Sequence, residues 1–464
     1  MNIVINVLTE EMPPFIRKER ISIKRKAEFN KNGEYVLYIM EMSQRANQNF
    51  ALETAIYYAN LLKKPLIVYF NLNSFSKRLN LRHYVFMLEG IIKLKKVLTQ
   101  RGIKIIIRNS EFFEKDVKLV NRAVLVIVDR GYLKYQKIWR QNLARIINIP
   151  MIEIEGDVIC PIETVSNKKE SNARTLRPKI MKLLPYFLEI VPQLDLKVCS
   201  HNIEISSWEE ENIYKYLEKL SIDKSVFPVE YFKGGEDEAL KRLEIFIKEK
   251  LHLYAKYRVD PGFNVTSELS PYLRFGQISP IQILLKILKE TPLEDENVKS
   301  FFNELVVWRE LARNYVWYNS LYDQYEGLPL WARKTLEDHI NDPREYLYEI
   351  FQFEKAETDD PYWNAAQKEL LKKGKIHNYI RMYWCKKLIE WTKNPKKAFE
   401  IACYLNNKYA LDGEDPNSYS GISWCFGTFD HPFPERPIYG KIRKMTKTSL
   451  TSKLYFKEYL KNTS

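Results

Sequence analysis

Glycine and cysteine are scarce in this chain, with 15 and 5 copies among 464 residues. The cysteines (160, 199, 385, 403 and 425) form no pair at metal-ligand spacing, and their number is odd. Free thiols in a reducing compartment are expected, not a disulfide framework. The six histidines are scattered, without H-E-x-x-H and without cysteine partners, so no metal site is expected. No G-x-G-x-x-G follows the first apolar run, where Met42-Ser43-Gln44-Arg45 stands instead, and a dinucleotide fingerprint is therefore absent. No apolar run reaches transmembrane length, and the N-terminus has no signal-peptide core. The expectation is a soluble intracellular protein, cytoplasmic or nuclear, with no membrane partner. Internal repeats and low-complexity blocks are also missing.

What is abundant is positive charge and aromatic surface. The formal net charge is +14, and the chain holds 30 Tyr, 23 Phe and 9 Trp. That balance favours an acidic partner such as nucleic acid, and the rings suit either flat ligands or large helical cores. The length implies two domains of ordinary size.

Residues 1–33 carry a basic cluster, Arg17-Lys18-Glu19-Arg20 and Lys24-Arg25-Lys26, which reads as a solvated arm. Over 34–155 short β-rich runs (35–40, 66–70, 104–108, 124–128, 151–154) alternate with helical stretches (49–62, 81–100, 112–121, 133–147). Such alternation predicts right-handed βαβ units, an α/β domain with a doubly wound parallel sheet. Residues 156–235 have poor periodicity and five prolines, and read as an interdomain connector. From 236 to 464 the pattern is all-α, with helical periods over 237–256, 281–289, 298–319, 331–340, 362–372, 375–392 and 396–405.

The loop NVTSELSPYLRFGQIS (264–279) sets hydroxyls among backbone N–H groups. It can hold a pyrophosphate, and it can equally be an ordinary helix cap. Residues 376–430 read as two helices joined at Asn394-Pro395, then a turn-rich loop ending in a Trp. Trp384 and Trp391 are seven residues apart and share a helical face, as core aromatics also do. Glu304 and Trp308, at i and i+4 in FFNELVVWREL, share another face. After His431 eight Lys/Arg stand against two Glu, an imbalance that suits phosphate contacts.

RMYWCKKLIEWT, YLNNKYALDGEDPNSY, ERPIYGKIR and TSELSPYLRFGQIS resemble the signatures of class II cyclobutane pyrimidine dimer photolyases, collinearly over about 35–444. The resemblance implies a light-dependent lyase that repairs UV-damaged DNA, with reduced anionic FAD as catalytic cofactor and a monomeric state. It implies an antenna role for the α/β domain, with a chromophore such as a deazaflavin. Thr266, Ser267, Leu269 and Ser270 would hold FAD phosphates, with Tyr254 and Arg309 as partners. Arg381 paired with Asp412, beside Gly413, would flank the flavin ring. Asn406 would face flavin N5, with Asn417 as the runner-up. Trp384, Trp363 and Trp391 would relay electrons outward in that order. Glu304, Trp308, Met382 and Trp424 would receive a flipped dimer, and Arg436, Lys441, Arg443 and Lys444 would touch the DNA backbone. A cryptochrome-like photoreceptor on the same fold is the alternative; a (6-4) photolyase and a flavin-free DNA-binding protein are further rivals.

Overall fold

The computed structural model describes residues 12–72, 78–109, 116–209, 212–453 and 455–463. A six-stranded sheet runs in the order β1-β6-β5-β2-β3-β4. Its strands are β1 (Ile21–Arg25), β2 (Tyr35–Ile39), β3 (Leu66–Asn71), β4 (Lys104–Arg108), β5 (Ala123–Asp129) and β6 (Met151–Ile154). Pairs β2–β3, β2–β5, β3–β4 and β5–β6 are parallel. Every residue of β2, β3, β5 and β6 is buried, because helices cover both faces. Helices α1 (Phe50–Leu61) and α2 (Leu81–Gln100) share one core with Val36, Tyr38, Val68 and Leu125. Helices α3 (Asp116–Asn121) and α4 (Lys134–Ile146) close the other face over Tyr35, Leu37, Ile67 and Val126. The first part of the helix expected over 112–121 lies outside the described residues.

The basic segment expected as a solvated arm differs. Its residues Ile21–Arg25 form β1, which pairs antiparallel with β6 along the edge. Ile21 and Ile23 pack on the core while Lys24 pairs with Glu153 at 2.9 Å, so the period-2 pattern outweighs the charge run. Arg20 is 1 % exposed and donates to the carbonyls of Glu155 (2.9 Å), Val158 (3.1 Å) and Phe187 (3.3 Å). Satisfying the guanidinium on main-chain oxygens is what permits its burial.

The connector is less irregular than its prolines suggest. Helix α5 (Ala173–Phe187) runs through Pro178 and Pro185, started by Asn172, whose side chain accepts from the N–H groups of Arg174 and Thr175. Beyond it the chain is largely helical: α6 (Glu236–Ile245), α7 (Ser270–Arg274), α8 (Pro280–Glu290), α9 (Glu296–Phe302), α10 (Arg309–Tyr318), α11 (Leu330–Asp338), α12 (Pro361–Lys373), α13 (Asn378–Trp391), α14 (Pro395–Tyr409) and α15 (Pro416–Cys425). The last of these replaces the turn-rich loop that its sequence suggests. Asp415 caps it by accepting from the Asn417 N–H, and Pro416 starts it, so its Ser and Gly content does not prevent a helix.

The two layers are joined at the start of α2. Arg82 donates to the carbonyls of Leu370 (3.1 Å) and Tyr409 (2.6 Å), and His83 Nε2 lies 2.9 Å from the Ala410 carbonyl. Burial pushes the His83 imidazole down to about 3, so it stands neutral and donates that bond.

Candidate active site

A cavity of about 560 Å³ opens in the helical layer. Its floor is a three-way junction at Asp412, in the turn after α14. Arg381, on α13, donates to both Asp412 oxygens at 3.0 and 3.3 Å, and the Ser270 hydroxyl at the start of α7 adds a bond of 2.7 Å. Burial alone would raise the Asp412 carboxyl; Arg381, Ser270 and Lys375 outweigh it and hold it below its ordinary value. Lys375, which also lines the cavity, is itself lowered by burial.

The loop leading into α7 contributes Thr266, Ser267, Leu269 and Ser270 to the wall. Its turn is held at Glu268, which adopts φ +57° and whose carboxylate accepts from Arg242 and the Tyr231 hydroxyl, each at 2.8 Å. Tyr254, Arg309, Asn406 and Asn417 line the same space. Asn406 is buried at 2 % exposure and donates to the Asn407 side chain at 3.1 Å, while Asn417 is exposed. Gly413 is not in the wall. A Cβ there would meet the Ala410 carbonyl oxygen at 2.8 Å, and its own carbonyl accepts from Arg274 at 3.0 Å, so glycine serves the turn.

Across the cavity, Glu304 and Trp308 lie on a π-helical turn, Asn303–Trp308, between α9 and α10. Glu304 accepts from Arg258 at 2.9 Å; burial nonetheless raises its carboxyl, with Arg258 opposing. Trp308 is 36 % exposed and Trp424 and Met382 are partly buried, so rings and thioether face an open space. Trp384 also reaches the cavity. Its ring stacks on Trp363 at 6.0 Å and 9°, and Trp363 meets Trp391 at 5.9 Å. The Trp363 indole N–H donates to the Trp384 carbonyl (2.9 Å) and the Trp384 indole N–H to Gln367 (3.0 Å), which orients both rings.

Arg309 reaches the cavity, yet most of its fork is already engaged. It donates to the Asp157 carbonyl and carboxylate, and Arg313 holds the other Asp157 oxygen at 3.0 Å and Asp415 at 3.3 Å. Arg313 and Asp415 also line the cavity. Sequence reasoning missed Asp157, Arg313, Arg274 and Lys375. Asp157 follows β6 in a stretch without periodicity, and Arg313 sits one turn after Arg309, the signal that could have found it.

Three cavity-lining guanidinium groups keep a buried donor without a protein partner: Arg274 Nη2, Arg309 Nε and Arg381 Nε. With the loop hydroxyls, these donors suit an elongated ligand carrying phosphates. Outside the cavity, Arg436, Lys441 and Arg443 are exposed around a short turn in which the Arg436 N–H meets the Gly440 carbonyl at 2.9 Å; Lys444 is half-buried near Glu390. Among the described residues, no group of His, Cys, Asp and Glu is arranged to hold a metal ion, and no helix is long and apolar enough to cross a membrane.

The DNA photolyase family model matches residues 36–195. The deoxyribodipyrimidine photo-lyase of Methanothermobacter thermautotrophicus (strain Delta H) is 41% identical over 445 residues, covering 96% of this chain and 98% of that relative. Those of Potorous tridactylus and Arabidopsis thaliana are 34% and 33% identical, covering 92% of this chain and 81% and 88% of theirs. Among solved structures, a bacterial class III photolyase from Agrobacterium tumefaciens superposes with TM-score 0.70 at 16% identity, over 94% of this chain and 87% of its own. A Synechocystis cryptochrome gives 0.71 at 16%, over 94% and 89%. At that identity the likeness is one of fold.

Proposed function

The chain belongs to the photolyase family, and from that premise we propose that it is a class II enzyme whose cavity binds FAD and a flipped pyrimidine dimer side by side. Its activity is the light-dependent repair of UV-induced cyclobutane pyrimidine dimers in DNA. The observation that carries the finer reading is the convergence on one cavity of the Thr266–Ser270 loop, the Arg381–Asp412 pair, and Glu304 with Trp308. An enzyme that acts on a stacked base must first take that base out of the duplex, and photolyases work in this way.

When bound, reduced FAD excited by blue light supplies the electron that opens the cyclobutane ring and is returned afterwards. The chain's residues prepare that event. The loop hydroxyls and the unpartnered Arg274 and Arg309 donors bind phosphate oxygens. Arg381 places positive charge against the flavin ring, while Asp412, fixed by Arg381 and Ser270, keeps that charge oriented without standing free. Asn406 presents an amide able to donate or accept at the ring edge. Glu304, its carboxyl raised by burial and opposed by Arg258, offers a hydrogen-bonding group to the edge of a thymine. Trp308 and Trp424 supply faces for the displaced bases, and Met382 fills beside them. Arg436, Lys441, Arg443 and Lys444 meet the DNA backbone, and the protein acts as a monomer. The Trp384–Trp363–Trp391 series, stacked at its first step and edge-on at its second, carries electrons inward when oxidised cofactor is to be reduced.

The test uses purified protein. Its absorption spectrum should show a flavin, and a separate band would reveal an antenna chromophore such as a deazaflavin in the α/β domain. In the dark it should prefer dimer-containing over matched undamaged oligonucleotides, and under blue light with reduced flavin it should restore the pyrimidines. Absence of both preference and repair with reduced flavin present would replace this reading with that of a cryptochrome-like photoreceptor.

A further inference from the structure

A second cavity, of about 590 Å³, lies in the α/β layer. Its walls come from the edge strand β1, helix α4 and the last turn of α10, and it shares no lining residue with the candidate active site. From β1 and just beyond it come Lys24, Arg25 and Lys26. Consecutive strand residues ordinarily point to opposite faces, but the β1–β6 register slips by one between Ile23 and Arg25. That bulge re-aims the side chains, and three basic neighbours line one hollow. Helix α4 adds Lys137, Arg140, Ala144 and Arg145, which at i, i+3, i+7 and i+8 share a helical face. Such a face is ordinarily apolar and packed; here it is cationic, and the small Ala144 leaves room beside the charges.

Six Lys and Arg thus line the cavity against a single carboxylate, Glu153. Glu153 is 3 % exposed and already taken, by Lys24 at 2.9 Å and Arg130 at 3.0 Å. Arg140 is paired with Glu41 and donates to the Gln136 carbonyl at 2.8 Å. Among the described residues no carboxylate pairs with Arg25, Lys26, Lys137 or Arg145. Arg25 reaches the Asn148 side chain at 3.3 Å through one Nη, and its buried Nε has no partner. Lys137 donates to the Trp317 carbonyl at 3.4 Å, and its ammonium stands 4.7 Å from that ring's centre, with the Arg130 guanidinium at 4.5 Å. Burial, then Arg130 and Lys134, lower the Lys137 ammonium, with no acid opposing them. Lys26 and Arg145 are exposed, so the hollow is open to solvent on their side. Cations gathered round a concave site without a counter-charge of the protein's own are what an anion completes.

We propose that this cavity binds the phosphate chain of a small polyanion, either free or as the tail of a nucleoside triphosphate. Arg25 and Lys26 on one wall and Lys137 and Arg145 on the other face the chain from two sides. Guanidinium forks and ammonium groups make their strongest hydrogen bonds to such oxygens. A hollow of this volume suits a compact ligand, whereas a nucleic-acid backbone calls for a groove several nucleotides long. None of these residues has a part in the repair reading, and the site stands whether or not that reading holds.

The test is calorimetric titration of the purified full chain with tripolyphosphate, in the dark and without DNA. FAD is present throughout, to occupy the phosphate donors of the first cavity. One equivalent of tripolyphosphate should bind. Lys137→Gln and Arg25→Gln should each weaken it about tenfold or more, at an unfolding midpoint like wild type. Arg436→Gln removes the same charge from a basic turn elsewhere and should leave the affinity as it was. Adenosine should give no heat. ATP binding equal to tripolyphosphate identifies the free chain as sufficient, and tighter ATP binding identifies a nucleotide as the source. No binding, binding that Lys137→Gln and Arg25→Gln leave unchanged, or release of bound tripolyphosphate by undamaged duplex DNA overturns the proposal.

Discussion

Two guanidinium–carboxylate clusters reach one cavity and differ in how much they tie together. At Asp412 one arginine meets one carboxylate, helped by a hydroxyl and a nearby lysine, and Arg381 keeps a donor free. At Asp157 two arginines share one carboxylate and Asp415 takes the remainder, tying the segment after β6 to α10 and to the cap of α15. Burial and the Arg313 charge lower the Arg309 guanidinium; for Arg313 burial works the same way, but Asp415 and Asp157 outweigh it and raise it. Each cluster leaves one guanidinium Nε unpartnered at the cavity, on Arg381 and on Arg309, but only the second also ties the segment after β6 to two helices. A buried ion pair can face a ligand and hold layers together at once, and the number of elements it joins sets how much it clamps.

The sharpest way to break the comparison is Asp157→Asn. It leaves Arg309 and Arg313 short of their carboxylate, and loss of one partner from a buried pair costs about 3–5 kcal/mol. Urea unfolding should register most of that; a midpoint like wild type would show that the cluster does not clamp. Arg381→Leu should act differently, leaving unfolding less affected while most FAD is lost on purification, read as flavin absorbance per protein. Full occupancy there would make that pair structural too. Trp384→Phe should keep the flavin and lose photoreduction with an external reductant, while chemically reduced enzyme still repairs; unchanged photoreduction means electrons enter elsewhere.

Smaller effects sharpen the contrast. Trp308→Ala touches neither cluster and should leave the flavin spectrum intact. Losing a stacking face is worth roughly 1–3 kcal/mol, about 5- to 150-fold in affinity for dimer-containing DNA. Undamaged duplex, held by phosphate contacts, should bind almost as before. The smallest signal is a pH slope at the clamp. Glu310 on α10 accepts from the N–H groups of Ile159 (2.6 Å) and Cys160 (3.1 Å), and burial lifts its carboxyl to about 7. Its folded value is raised, so the folded chain holds a proton that the unfolded chain releases. Its contribution is complete below the ordinary carboxylate value and fades as pH rises towards 7. Glu310→Gln should flatten that part of the stability profile, measured as unfolding midpoint against pH.

How much of this was legible depends on whether the cause is local. Helix α2 and strands β4 and β6 coincide with their predicted spans, because their apolar period is unbroken. Arg381 and Asp412 do meet, and Glu304, Trp308, Met382 and Trp424 do reach one cavity, each found through motif resemblance. What escaped is decided at a distance or by one residue. Strand β1 depends on a partner far along the chain, and α15 hides its cap, Asp415-Pro416, in a composition that looks like turn. The π-helical turn beneath Glu304 and Trp308 follows from packing that no period announces. Asp157 needed the fold to bring it to α10.

The seat of Arg20 sets an order of events during synthesis. Its guanidinium reaches the Phe187 carbonyl, 167 residues downstream, and among the described strands the one beside it pairs only with β6. At roughly 5–20 residues per second, a ribosome needs about 10–30 s to make that interval. Strand β6 emerges before Phe187 does, so for most of that time β1 has no edge to join. Its charge run, Lys24-Arg25-Lys26, is then what keeps a waiting strand from pairing with a neighbour on the same message.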